Sequence, residues 1–200
     1  SELLKILRLK NFINISKKKN LQNIFFLIFP EFRYFSRFEK LEEKYKLFEL
    51  NEEIILGIML IDKTNNNEYF CHKYKVSNNL KNNLIFIKNS IEKSSSDKNF
   101  FKDNLRKNIY FFGKEKLRKI NTVFFLMNRK TTIKDYKKNI ENINKTIVPP
   151  FPYDGKYLIS KGFNEGKKVG QVIKELEKNW IENNCELADN LADKIISKAK

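Results

Sequence analysis

Cysteine, histidine, glycine and proline are scarce in these 200 residues. The two cysteines, Cys71 and Cys185, and the single His72 cannot build a zinc site or a disulfide framework. The adjacent pair Cys71-His72 reads as structural rather than as a nucleophile beside its base. Long apolar runs are missing too. The longest, residues 24–29 and 54–61, fall far short of the roughly 18 residues that span a bilayer. No signal-peptide pattern opens the chain, which starts directly in a helical pattern. Asp-x-Asp, Asp-x-Glu and Gly-Ser occur nowhere. Carboxylate pairs of the kind that hold two metal ions for phosphoryl transfer are therefore not to be found at that spacing.

What is abundant is lysine, asparagine, isoleucine and phenylalanine. Forty Lys and Arg face 24 Asp and Glu, a formal net charge of +16. With a pI near 9.7 this points to a polyanionic partner, although an AT-rich genome also writes Lys- and Asn-rich protein. Nothing alternates at period two for long. Residues 123–126 have strand-like composition, but their flanks are helical. The pattern predicts an all-α chain of about ten helices.

In order, a first helix carries Leu3, Leu4, Ile6, Leu7 and Leu9. A second is expected over residues 16–29, stopping before Pro30. Phe32, Phe35, Phe38 and Leu41 form a third helical stripe. Residues 52–62 read as a buried helix, 64–67 as a loop and 68–73 as a short helix. Ser77 should cap a helix reaching about residue 89. Residues 94–97 read as a polar loop, and Gly113 as a helix terminator followed by a new helix over 115–127. Thr131 or Thr132 opens another helix to about residue 145. A last one is expected over 186–199.

Residues 149–180 differ from the rest. Three of the four Pro and four of the six Gly lie here. Pro149, Pro150 and Pro152 stiffen an entry loop. Asp154 is placed to cap a short helix ending at Gly162, and Asn164 to cap a second, with Glu165 near its positive end. Val169, Val172, Ile173, Leu176 and Trp180 make the apolar stripe of that second helix. Gly166 and Gly170, four apart, leave backbone bare for close approach by another helix or by a sugar-phosphate backbone. Lys156, Lys161, Lys167 and Lys168 surround these turns.

The run Phe151-Pro152-x-x-Gly155-x-x-Leu158-Ile159-x-x-Gly162-Phe163-x-x-Gly166-x-x-x-Gly170, followed by Leu176-Glu177 and Trp180-Ile181, resembles the C-terminal part of bacterial tRNA nucleotidyltransferases. These are the CCA-adding enzymes of the class II nucleotidyltransferase and poly(A) polymerase family, and the alphaproteobacterial form is the nearest likeness. Weaker similarities follow in the same order. Residues 1–7 are similar to the end of the family's neck. Pro30-Glu31 is similar to its Leu-Pro-Glu turn, with Phe29 in place of Leu. Residues 74–78 are similar to its Leu-Arg-Leu-Ser-Asn turn, and residues 105–115, with Gly113, to its Leu-Tyr-x-x-Gly helix end.

The resemblance implies three regions: residues 1–45 as the end of the neck and start of a helical body, 46–148 as the body, and 149–200 as a tail. It implies binding to the acceptor and T-arm of tRNA, no membrane partner and a cytoplasmic setting. Lys156, Lys161, Gly162, Gly166, Lys167 and Lys168 would then contact RNA. A chain opening on Ser1 inside a helix reads as a fragment, inactive alone. The family's catalytic head, with its Mg²⁺ and CTP or ATP, is expected upstream as the partner domain. Two other readings stay open: part of a related poly(A) polymerase, and a stand-alone helical module that binds nucleic acid or serves as an adaptor.

Overall fold

The computed structural model describes residues 2–9, 11–41, 48 and 50–199. Ser1, and the expected boundary between residues 45 and 46, lie outside the described residues. The chain is all-α: among the described residues there are eleven α-helices, one 3₁₀ helix and no strand. It packs as two compact units. One is residues 1–98 with 115–141, and the other is 99–114 with 142–200.

In the first unit, α4 (Glu52–Leu60) is the central rod. Asn51 caps it, its side chain accepting from the Ile54 N–H at 3.0 Å. Glu52 and Glu53 sit in its first turn, where the helix dipole favours negative charge. Every residue from Ile54 to Leu60 is buried, as expected of a helix apolar all round. Around it pack α1 (Glu2–Leu7), the 3₁₀ helix (Phe35–Lys40), α5 (Asn66–Lys73) and α6 (Asn78–Ser96). Arg37 on the 3₁₀ helix closes the far end of α4. Its Nη1 donates to the Ile58 and Ile61 carbonyls at 2.7 and 2.8 Å.

Four expectations shift here. The second helix is broken in two, α2 (Phe12–Ser16) and α3 (Lys19–Ile28). The Ser16 hydroxyl turns back onto the Ile13 carbonyl, and Lys18 takes the N-cap of α3 with extended backbone. Phe32, Phe35, Phe38 and Leu41 are all buried, but Phe35 and Phe38 lie on a 3₁₀ helix that Leu41 caps, not on an α-helix; their strict three-residue interval is the 3₁₀ period. Asn66 and Asn67 belong to α5, not to a loop, because the Asn66 amide is drawn inward to the Glu31 and Leu60 carbonyls. Finally, α6 runs on through Ser96. Ser94, Ser95 and Ser96 return their hydroxyls to carbonyls three or four residues back instead of forming a loop.

The long α7 (Leu105–Met127) breaks at Gly113, whose φ of 76° is outside the helical region, as expected of that glycine. Its second half buries Leu117, Ile120 and Val123 in the first unit. α8 (Ile133–Lys145) starts with a capping box. The Asp135 carboxylate accepts from the Thr132 N–H at 2.9 Å, and the Thr132 hydroxyl accepts from the Asp135 N–H at 3.2 Å.

The second unit holds α9 (Gly155–Ser160), α10 (Lys167–Glu182) and α11 (Asp189–Ala199). The inner face of α10 presents Val169, Val172 and Leu176 to Leu158, Phe163, Ile195 and Ile196. Farther along, Trp180 is 2% exposed. It meets Tyr110 and Phe151 edge-on at 5.2 and 5.5 Å between ring centroids.

Candidate nucleic-acid interface

The candidate surface is built by α9, the turn after it and the first turns of α10. Asp154 caps α9 by accepting from the Tyr157 N–H at 2.8 Å. At the other end the Gly162 N–H reaches the Ile159 carbonyl at 2.9 Å and the Phe163 N–H reaches Leu158 at 3.1 Å. This is a Schellman closure with Gly162 at its left-handed position, φ 93°. Phe163 and Leu158, the residues brought together by that closure, lie in one core cluster. Burial of these two side chains thus fixes which way the turn faces.

The start of α10 departs from expectation. Asn164 is exposed and caps nothing; the helix begins three residues later at Lys167. Gly166 takes the N-cap at φ 147°, which an L side chain rarely adopts, and no side chain caps the helix. With Phe163 pinned in the core, only a glycine lets the chain reverse in so few residues. Glu165 precedes the helix as an exposed residue. Gly170 lies on the second turn, and a Cβ added there, or at Gly166, would meet nothing within 4 Å. Packing of another helix against that Cβ position therefore does not account for the bare backbone. Gly155 is different: a Cβ there would touch Val169 at 3.8 Å, so α9 and α10 pack at their beginnings.

The six expected residues are all exposed. Lys156 sits in the first turn of α9. Lys161 is its C-cap, with the ammonium 5.4 Å from the Tyr157 ring centre. Lys167 and Lys168 open α10. The fold thus places all four lysines at the ends of two packed helices, around two positive-φ glycines. Sequence reading missed the rest of the exposed α10 face. Lys174 and Lys178 follow Lys167 at helical spacing and are also exposed. The helical spacing between them was the available signal.

Chemically this surface offers cations and backbone N–H groups, which suit phosphate oxygens. Cys71 and Cys185 are buried, and burial pushes both thiols up, away from the thiolate. Among the described residues no group of three or more His, Cys, Asp or Glu comes together to hold a metal ion. No helix among the described residues is long and apolar enough to cross a membrane. Compared with protein-family models, curated proteins and solved structures, the chain matches none.

Proposed function

We propose that this chain binds structured RNA, and specifically the acceptor and T-arm of tRNA, as the C-terminal part of a CCA-adding nucleotidyltransferase working in the cytoplasm. In that reading CTP, ATP and Mg²⁺ belong to a catalytic head outside these residues, and the chain alone adds no nucleotide. The observation that carries the proposal is the exposed Lys156, Lys161, Lys167 and Lys168 set around Gly162, Gly166 and Gly170, with open space over the last two. Duplex RNA hides its deep groove and is gripped by shape and by its phosphates. A surface of lysines, a helix start without a side-chain cap and side-chain-free backbone meets that requirement. The ordered resemblance supplies the choice of tRNA.

The test is fluorescence anisotropy of labelled tRNA against the chain over a range of KCl. Lys161→Glu/Lys167→Glu/Lys168→Glu is expected to weaken binding and to flatten the salt slope by about 0.9 for each phosphate that is no longer neutralised. An unchanged affinity and slope would show these lysines to be bystanders. No tRNA binding by the unaltered chain would remove the RNA reading itself.

A further inference from the structure

α3 is ten residues long and buries none of them. Ile24, Phe26, Leu27 and Ile28 are 50%, 53%, 82% and 57% exposed, and Ile6 and Leu9 add 40% and 54%. Among the described residues, the other exposed large apolar side chains, such as Tyr69 and Phe111, are scattered. Ile24, Leu27 and Ile28 stand three and four apart, on one helix face. Phe25 points the other way and anchors the helix, its ring 5.8 Å from Phe12 and 5.9 Å from Phe35. The helix end is tied down as well, the Tyr74 hydroxyl donating to the Ile28 carbonyl at 3.1 Å. Beyond that end the surface is concave. Leu3, Leu4, Phe29, Leu56 and Phe70, with Lys75, line a cavity of about 400 Å³.

The acids that border this surface are taken up in ion pairs, Glu2 with Lys5, Glu52 with Arg8 and Glu31 with Lys73. Residues 3–30 contain six Lys and Arg and no Asp or Glu. Lys18 and Lys19, at the start of α3, are exposed. A second copy docked here would offer no free acid from residues 3–30 to Lys18 and Lys19. A lipid surface would meet the protruding side chains but would insert none into the cavity. We propose that α1, the outer face of α3 and the adjoining cavity form a docking groove for an amphipathic helix of a protein partner. That helix carries an apolar stripe, with a bulky side chain for the cavity and Asp or Glu beside the stripe for Lys18 and Lys19. The proposal does not depend on the RNA reading, which rests on other residues.

The probe is a labelled synthetic helix with a Leu and Phe stripe flanked by Glu. The controls are the same stripe flanked by Lys, and a scrambled peptide. Each is titrated with the full chain by anisotropy. The Glu-flanked helix is expected to bind, and Leu27→Ser to weaken it roughly tenfold or more, as loss of an interface anchor does. Lys18→Glu/Lys19→Glu should weaken the Glu-flanked helix while strengthening the Lys-flanked one. These side chains are exposed, so circular dichroism should show the fold intact in both variants. Three outcomes overturn the proposal. One is failure to bind the Glu-flanked helix, or equal binding of the scrambled one. The second is co-sedimentation with phosphatidylcholine–phosphatidylglycerol vesicles that is lost in Leu27→Ser. The third is self-association in sedimentation velocity that is lost in the same variant.

Discussion

Several single residues carry well-defined burdens. Tyr110 donates its hydroxyl to the Glu177 carboxylate beside Trp180. That hydrogen bond, then burial, pushes the Tyr110 phenol up from the usual 10 to about 12. The folded state therefore favours protonated Tyr110. Its contribution is complete below pH 10 and is lost as the pH rises from there through 12. Tyr110→Phe should remove about 0.5–1.5 kcal/mol of stability at neutral pH. It should also remove that part of the alkaline decline, as read by denaturant melts across pH 9–12. Trp180, 2% exposed between Tyr110 and Phe151, should cost about 3–5 kcal/mol when changed to alanine. Lys75 is the opposite case. It sits at φ 46° after α5, where the Val76 N–H reaches the Cys71 carbonyl at 3.2 Å. A left-handed L-residue costs roughly 1–2 kcal/mol, and glycine gives back part of the gain through the unfolded chain. Lys75→Gly should thus stabilise the fold by about 0.5–1 kcal/mol, measured as a higher urea midpoint.

Among the elements, the legible helix ends were those set by local chemistry. Asp154, Ser77, Gly113 and Gly162 perform the capping and terminating roles their residue types announce, because each acts on backbone groups within a few residues. Asn164 misled because its side chain is as good a cap as any, and only the burial of Phe163 moves the helix start on to Lys167. The bare face of α3 was not readable either. Its apolar spacing matches that of a core helix, and whether such a face is covered depends on the neighbours that tertiary packing supplies. The same limit applies to the lysine surface, since exposure of Lys156 and Lys161 could be guessed but the open space over Gly170 could not. Gly57 gives an element-scale prediction. It lies inside α4, where an added Cβ would meet Ile61, Val123 and Ile87 at 3.6–3.7 Å, an ordinary van der Waals distance. Gly57→Ala should stabilise by up to about 1 kcal/mol, visible as a higher melting temperature. Loss of stability would mean that α4 cannot accept even one methyl group.

At the level of the whole molecule the basic charge is unevenly shared. The unit of residues 1–98 and 115–141 has 26 Lys and Arg against 15 Asp and Glu, and the other has 14 against 9. General attraction to polyanions is therefore not confined to the proposed RNA surface. The triple lysine-to-glutamate variant should keep weak, strongly salt-dependent binding to single-stranded homopolymer RNA while losing its preference for tRNA. Competition of labelled tRNA by unlabelled homopolymer measures the difference. Equal losses for both RNAs would reduce the surface to its charge.

The two units are interleaved along the chain, with residues 99–114 set between the two parts of the first unit. For a protein made from its N-terminus this imposes a timetable. When residue 114 leaves the ribosome, the first unit still lacks 115–141. Phe100, Phe101, Leu105 and Ile109, all buried in the finished fold, have none of residues 142–200 to pack with. At about 5–20 residues per second, those side chains stay uncovered for several seconds. The stretch from Phe100 to Ile109 is thus one that a nascent chain of this protein would present to a chaperone.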